Sequence, residues 1–182
     1  MSAVVPASSK TSSPIACASF SQIDADLSPE GTEVSENLVA EISEINPDVF
    51  FVSPLKRTQQ TIQPFLDTQQ DPVVVESDLL LERDLGKFTG TPMGAFQEYC
   101  KENNLDKVTT RPEGGESLVD VYEKTKLFLQ EIKDTYPDQK VLVCGSKNNL
   151  MCLQIAIEGN NIADYSSFES FKTGELRRFK IF

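Results

Sequence analysis

The chain has 182 residues, of which 39% are hydrophobic and 25% are charged, as is typical of a globular domain. Its 17 basic and 28 acidic residues give a net charge of −11, and a field of this sign repels nucleic acid and anionic membranes. No apolar run reaches the roughly 18 residues that a membrane span requires. Composition therefore argues against nucleic acid as a partner and against a membrane span, and it favours a basic protein partner.

The four cysteines are scattered and show no paired CxxC spacing. In a domain of this size such cysteines are more often reduced core thiols than a disulfide framework. We therefore expect an intracellular, reducing compartment, with the cytoplasm as the simplest choice. No metal site and no cofactor are predicted. The cysteines are Cys17, Cys100, Cys144 and Cys152.

The first 21 residues are rich in serine and alanine and lack the apolar core of a secretory signal. We expect this segment to be a partly ordered arm in which only Ala3-Val4-Val5 could form a short strand. Residues 22–182 are predicted to form a single domain, because neither an internal repeat nor a linker interrupts them.

The first regular elements are a helix and a buried strand. Ser28-Pro29-Glu30-Gly31 combines an N-cap serine, a proline at the first helical position and an acid in the first turn. Apolar residues at helical spacing follow, which predicts a helix from about Pro29 to Ile45. The continuous apolar run Val49-Phe50-Phe51-Val52 predicts a strand that is covered on both faces.

A second helix is predicted directly after this strand. Ser53-Pro54 repeats the N-cap and first-turn signal, which places Arg57 near a helix N-terminus. Free backbone N–H groups and the helix dipole make such a position suitable for an anion. Pro64 is expected to kink or shorten this helix.

The later elements continue to alternate between strand and helix patterns. A strand is predicted at Pro72–Glu76, followed by a turn segment from Leu79 to Gly86 and a short helix within Gly90–Lys101. A loop from Asn103 to Glu113 leads to a long amphipathic helix that opens at Gly114 and breaks at Tyr136-Pro137. The chain closes on an edge strand from Leu176 to Phe182.

The stretch Val141-Leu142-Val143-Cys144 and the turn at Gly145 predict a central strand followed by another helix. Open α/β sheets place their functional sites at the carboxyl ends of such strands. The sequence therefore predicts an α/β fold with a site at this turn.

Four segments resemble, in order, motifs of the histidine phosphatase (phosphoglycerate mutase-like) superfamily. A fifth, Gly145-Ser146-Lys147-Asn148, stands where that family has Ser-His-Gly-Gly. The resemblance covers the chain from about Asp26 to its end and implies a three-layer α/β/α sandwich with a mostly parallel sheet. The four segments are Asp26–Gly31 (Pro-Leu-Thr-x-x-Gly in the family), Ser53–Thr61 (Ser-Ser-Pro-Leu-x-Arg-x-x-x-Thr), Leu81–Gly90 (Leu-x-Glu-x-x-x-Gly-x-x-x-Gly) and Arg111–Ser117 (Pro-x-Gly-Glu-Ser).

The resemblance implies a phosphate pocket made of an Arg-His-Gly motif, a second arginine, an acidic proton donor and a later histidine. Arg57 matches the second arginine, and Glu82 matches the acid. Ser8 falls on the nucleophilic histidine, and Ser146 falls on the later one. Lys147, beside Ser146, is a further candidate ligand for phosphate. The alternative for Glu82 is an ion pair with Arg57 or Arg83.

The whole chain contains no histidine, so chemistry that runs through an imidazole cannot occur in it. We therefore expect a catalytically inactive domain that serves as a binding or structural subunit, with an unknown protein partner or larger assembly. One alternative is a phosphatase with a rebuilt site that uses Ser8, Ser146 or Cys144. A serine would be activated by a lysine beside it, and Cys144 would act as a thiol of low pKa. The other is a sensor that binds a phospho-ligand weakly through Arg57 and Lys147 without turnover.

Overall fold

Among the described residues, five strands form one sheet in the order β3-β2-β4-β1-β5. The computed structural model describes residues 2–6 and 24–180. Neighbours among β1 to β4 are parallel, whereas β5 pairs antiparallel with β1 at the edge. The strands are β1 (Ser2–Pro6), β2 (Val49–Val52), β3 (Val74–Glu76), β4 (Val141–Gly145) and β5 (Arg177–Phe179).

Helices cover both faces of this sheet, because the side chains of β2 and β4 alternate between two apolar clusters. One cluster joins Val49, Phe51, Val141 and Val143 to α4 and α5, and the other joins Phe50, Val52, Leu142 and Cys144 to α1 and α2. The predicted three-layer α/β/α sandwich is thus confirmed. The helices are α1 (Pro29–Ile45), α2 (Lys56–Leu66), α3 (Ala95–Glu102), α4 (Leu118–Thr135) and α5 (Lys147–Ile157).

Two helix starts follow the chemistry of their N-caps. Gly31 N donates to Ser28 Oγ at 3.2 Å, and α1 has the predicted bounds. At the start of α4, Ser117 and Asp120 form a capping box, in which each side chain binds the backbone N–H of the other. Among the described residues, no helix combines the length and the apolar character that crossing a membrane requires.

The predicted start of the second helix at Ser53 is wrong. Ser53 N still donates to Cys144 O at 3.1 Å, so this residue continues the pairing of β2 with β4. The helix α2 begins at Lys56, after an extended N-cap residue, Leu55, whose side chain makes no capping bond. It contains Pro64 and continues for two more residues to Leu66.

The amino-terminal segment contributes a strand inside the sheet. Ala3-Val4-Val5 lies within β1, between β4 and β5, and Pro6 pairs with Gly145. The first described strand therefore ends beside the turn that follows β4. Ser8 and Cys17 lie outside the described residues.

Phe51 is the central side chain of the larger apolar cluster and is 0% exposed. Its ring meets those of Phe128 and Tyr136 edge to face, with centroids 5.1 and 5.5 Å apart. We expect Phe51→Ala to lower the free energy of unfolding by about 3–5 kcal/mol, because it leaves a cavity in the core. Urea denaturation measures this loss. The matched control is Val73→Ala, at a position that is 51% exposed, and an equal loss there would contradict the assignment of the core.

Candidate active site

The candidate site lies at the carboxyl ends of β2 and β4, where α2 and α5 begin. Arg57 occupies the second position of α2, and Ser146 is the N-cap residue of α5. Arg57 Nη2 donates to Ser146 Oγ at 3.1 Å, and the two residues are 5% and 3% exposed. The fold thus brings together two predicted site residues that are 89 positions apart in the sequence.

Glu82 is held at the same place by the segment that precedes it. Asn149 Nδ2 donates to Leu79 O at 2.8 Å and to Leu81 O at 3.4 Å, which fixes this segment against α5. Glu82 Oε2 accepts from Asn148 N at 3.4 Å, in the first turn of α5. Glu82 is 8% exposed, so its carboxyl group is almost fully withdrawn from solvent.

Arg83 supports the loop beside the site instead of forming the predicted alternative ion pair with Glu82. Its guanidinium donates to the backbone oxygens of Glu116 at 2.8 Å and Thr110 at 3.1 Å, and it stacks on the ring of Phe96 at 4.7 Å. Its backbone N–H donates to Glu82 Oε1 at 2.7 Å. Arg83 therefore stabilises the fold around the acid.

The charges of Arg57 and Glu82 influence each other through the protein interior. Burial raises the pKa of Glu82 above its ordinary value, while hydrogen bonds from Arg83 and Asn148 and the charge of Arg57 act in the opposite direction. Burial also lowers the pKa of Arg57, and Glu82 and Asp24 oppose that shift. The site thus pairs one buried cation with two acids.

Sequence reasoning missed Asp24. Its Oδ1 accepts from Lys56 N at 2.7 Å, at the first residue of α2. The side chain caps a helix that begins 32 residues later, so no local pattern could have indicated the contact. It completes the N-terminus of α2, which has no side-chain cap from its own N-cap residue.

Asn148 was also missed as a functional residue, although it stands at a glycine position of the Ser-His-Gly-Gly motif. Its backbone N–H donates to Glu82 Oε2 at 3.4 Å, and its Oδ1 accepts from Tyr165 Oη at 2.7 Å. Burial raises the pKa of Tyr165, so this hydroxyl remains a donor. Asn148 therefore links the acid of the site to the 3₁₀ helix Ile162–Ser167.

The remaining predicted groups differ in their accessibility. Cys144 is fully buried on β4, and its Sγ donates to Thr58 O at 3.3 Å. Burial raises the pKa of this thiol, so the predicted alternative of a low-pKa nucleophile is wrong. Lys147 is exposed at the first residue of α5. Cys100 and Cys152 are, like Cys144, free and buried.

Comparison with known proteins identifies the family. The family model described as "Histidine phosphatase superfamily (branch 1)" matches residues 14–181. The chain belongs to the histidine phosphatase superfamily. A relative within it, phosphoserine phosphatase 1 from Hydrogenobacter thermophilus, is 30% identical over 151 residues, which are 80% of this chain and 71% of that protein. The predicted resemblance is thus confirmed at the level of the superfamily.

Solved structures of two phosphatases share the fold. A mycobacterial glucosyl-3-phosphoglycerate phosphatase superposes with a TM-score of 0.82 at 19% identity, over 96% of this chain and 86% of that one. An alpha-ribazole phosphatase from Shigella flexneri gives a TM-score of 0.81 at 16% identity, over 96% and 87% of the two chains. At such low identity the similarity establishes the architecture alone.

The raised pKa of Glu82 predicts a pH dependence of stability. The folded state binds the proton of Glu82 more tightly than the unfolded state, so the contribution of this group is present at low pH and is lost as pH rises through the folded pKa. The glutamine of Glu82→Gln does not ionise, so the variant does not lose this contribution to stability as pH rises. We therefore expect the difference in free energy of unfolding, variant minus parent, to increase as the pH rises above the ordinary pKa of a glutamic acid side chain.

Urea denaturation at a series of pH values measures this difference. The matched control is Glu131→Gln, on the exposed side of α4, which makes the same substitution away from the site. A difference for Glu82→Gln that stays constant or decreases as pH rises would show that the folded chain favours the ionised form of Glu82.

Proposed function

We propose that this chain is a catalytically inactive histidine phosphatase domain that acts as a binding or structural subunit. The observation that carries the proposal is the hydrogen bond from Arg57 to Ser146. Ser146 stands where the family motif has its later histidine, so Arg57 contacts a serine hydroxyl at this place. The 182 residues contain no histidine, so no other position supplies an imidazole. The site thus keeps an arginine and an acid of the family pattern without the ring nitrogen that the family's reaction uses.

The neighbours of Ser146 support inactivity. A serine hydroxyl becomes a competent nucleophile only when a base accepts its proton. Arg57, which contacts Ser146 Oγ at 3.1 Å, is a donor that stays protonated and cannot serve as that base. Losing the groups of covalent catalysis typically costs several orders of magnitude in turnover. We therefore expect no normal phosphatase turnover.

A rebuilt phosphatase site is less well supported by the geometry. The thiol of Cys144 is buried and its pKa is raised, which disfavours the thiolate that would attack phosphorus. The side chain of Lys147 is exposed to water, whereas Ser146 is 3% exposed. Ser8 lies outside the described residues. These observations favour the inactive domain.

A direct assay separates these functions. We expect incubation with p-nitrophenyl phosphate or with phosphoserine to release no phosphate above the buffer rate. Phosphoserine is included because a relative is named a phosphoserine phosphatase. Arg57→Ala is the control, because release that persists in this variant comes from a contaminant. Release that Arg57→Ala abolishes would falsify the proposal and would favour the rebuilt site.

Binding of a phospho-ligand without turnover is the second candidate function. It is favoured by the buried Arg57, which lies between the N-termini of two helices, α2 and α5. Helix N-termini and arginines both favour phosphate oxygens. Within this candidate, Arg57 is the principal ligand and the exposed Lys147 adds a second positive charge at the rim of the site.

The acidic surface supports a basic protein partner for the inactive domain. The helix α1 carries exposed glutamates and, over its 17 residues, no lysine or arginine. We expect partners that co-purify from native extract to be basic and to be released by raised salt, because screening weakens contacts between exposed charges. The matched variant is Glu33→Gln/Glu36→Gln/Glu44→Gln in α1, which should release them at lower salt. Retention of the same partners at unchanged salt would exclude α1 as the contact surface.

A further inference from the structure

The strand β3 forms one edge of the sheet and carries exposed valines. Among the described residues, β2 is its single neighbouring strand. Val73 is 51% exposed and Val74 is 45% exposed. We propose that the free edge of β3 binds an extended, basic segment of a partner protein as an added strand of the sheet. The inference rests on the proposed function as a binding subunit, and it gives that subunit a contact surface other than α1.

The direction of the backbone groups shows which residues of β3 are available to an added strand. Phe50 N donates to Val73 O at 2.9 Å, so the peptide carbonyl of Val73 faces β2. Peptide groups alternate in direction along a strand, so those of Val74 and Glu76 point away from β2. Each of these two residues therefore directs an N–H and a C=O towards the free edge, where an incoming strand can bind them.

The residues at the two ends of β3 limit the length of this edge. Pro72 has no backbone N–H, and the strand ends at Glu76. Proteins commonly keep edge strands short or charged, which prevents uncontrolled pairing. Val74 lies between these positions and has a backbone N–H and an apolar side chain. An edge of this length offers few main-chain hydrogen bonds, so an added strand also needs side-chain contacts.

The side chains at the edge offer such contacts on both faces of the sheet. Val75 packs against the larger apolar cluster, and by alternation Val73 lies on the same face. Val74 and Glu76 point to the opposite face, on which Gln59 Nε2 of α2 donates to Glu76 Oε2 at 2.7 Å. β-branched residues of an added strand can thus pack beside an exposed valine on either face.

Charge decides which occupant the edge favours. Residues 58–81 contain four acids and no lysine or arginine, and all four acids are exposed. Pairing of β3 with a second copy of itself brings two such acidic segments together, and like charges opposite each other are destabilising. A basic segment meets opposite charges instead, which favours its association. The four acids are Asp67, Asp71, Glu76 and Asp78.

The test is an NMR titration of the isotope-labelled full chain with a short peptide of alternating lysine and valine. We expect the peptide to shift the amide signals of Val74 and Glu76 more than that of Val75, whose N–H faces β2. A peptide of alternating glutamate and valine is the control for charge and should shift none of them. If these signals instead shift with protein concentration in the absence of peptide, a second copy occupies the edge and the proposal is refuted.

Substitutions locate the contact. Val74→Pro removes an N–H that faces the free edge, and Val74→Thr keeps this N–H and the β-branched shape. We expect Val74→Pro to weaken binding roughly tenfold and Val74→Thr to have a smaller effect. Asp71→Asn/Glu76→Gln should weaken binding and reduce its sensitivity to salt, and asparagine tolerates the positive φ of 52° at Asp71. The matched control is Glu33→Gln/Glu36→Gln in α1, which should bind like the parent chain.

The outcomes separate this inference from the function on which it rests. If the α1 variant loses binding and the β3 variants keep it, the peptide binds α1, which overturns the docking edge and leaves the binding subunit intact. Absence of binding to the parent chain also refutes the edge, and the phosphatase assay is unaffected. Thermal unfolding shows whether each variant is folded, and Asp71→Asn/Glu76→Gln decides the question if Val74→Pro is not.

Discussion

The burial of the Arg57 guanidinium is the constraint on which the site depends. A buried cation is costly unless hydrogen bonds and opposite charges compensate for the water that it loses. Here the compensation comes from the hydrogen bond to Ser146 and from the charges of Glu82 and Asp24. The carboxyl ends of parallel strands bring these segments to one edge of the sheet, so the architecture and the charge pairing depend on each other.

A site whose cation is already compensated has different physical properties from a site that is built to receive phosphate. In a phosphate pocket, positive charges remain uncompensated until the ligand arrives, and ligand binding then stabilises the protein. In this chain the acids, the helix N-termini and Arg57 satisfy one another. The burial of Arg57 is therefore compensated by groups of the chain itself.

Membership of the histidine phosphatase superfamily and the shared fold do not by themselves establish the reaction. The scaffold is retained throughout: strands β2 and β4 fill both faces of the core, and α4 and α5 pack together behind the site. At the turn after β4, Ser146, Lys147 and Asn148 stand where the predicted match to the family motif has His-Gly-Gly. At this turn the backbone N–H of Asn148 donates to Glu82, whose carboxyl group is a hydrogen-bonded part of the interior.

The sequence by itself determined the local features. The N-cap chemistry at Ser28 gave the bounds of α1, the continuous apolar runs of β2 and β4 predicted strands buried on both faces, and the absence of histidine was plain in the composition. Short-range steric and hydrogen-bonding preferences control such features, so the local pattern contains them. Only the tertiary structure decided how the site is completed, because Asp24 and Lys56 are 32 residues apart, Glu82 and Asn148 are 66 apart, and Arg57 and Ser146 are 89 apart. Contacts at such separations depend on how the sheet orders its strands, and no periodicity along the chain records that order.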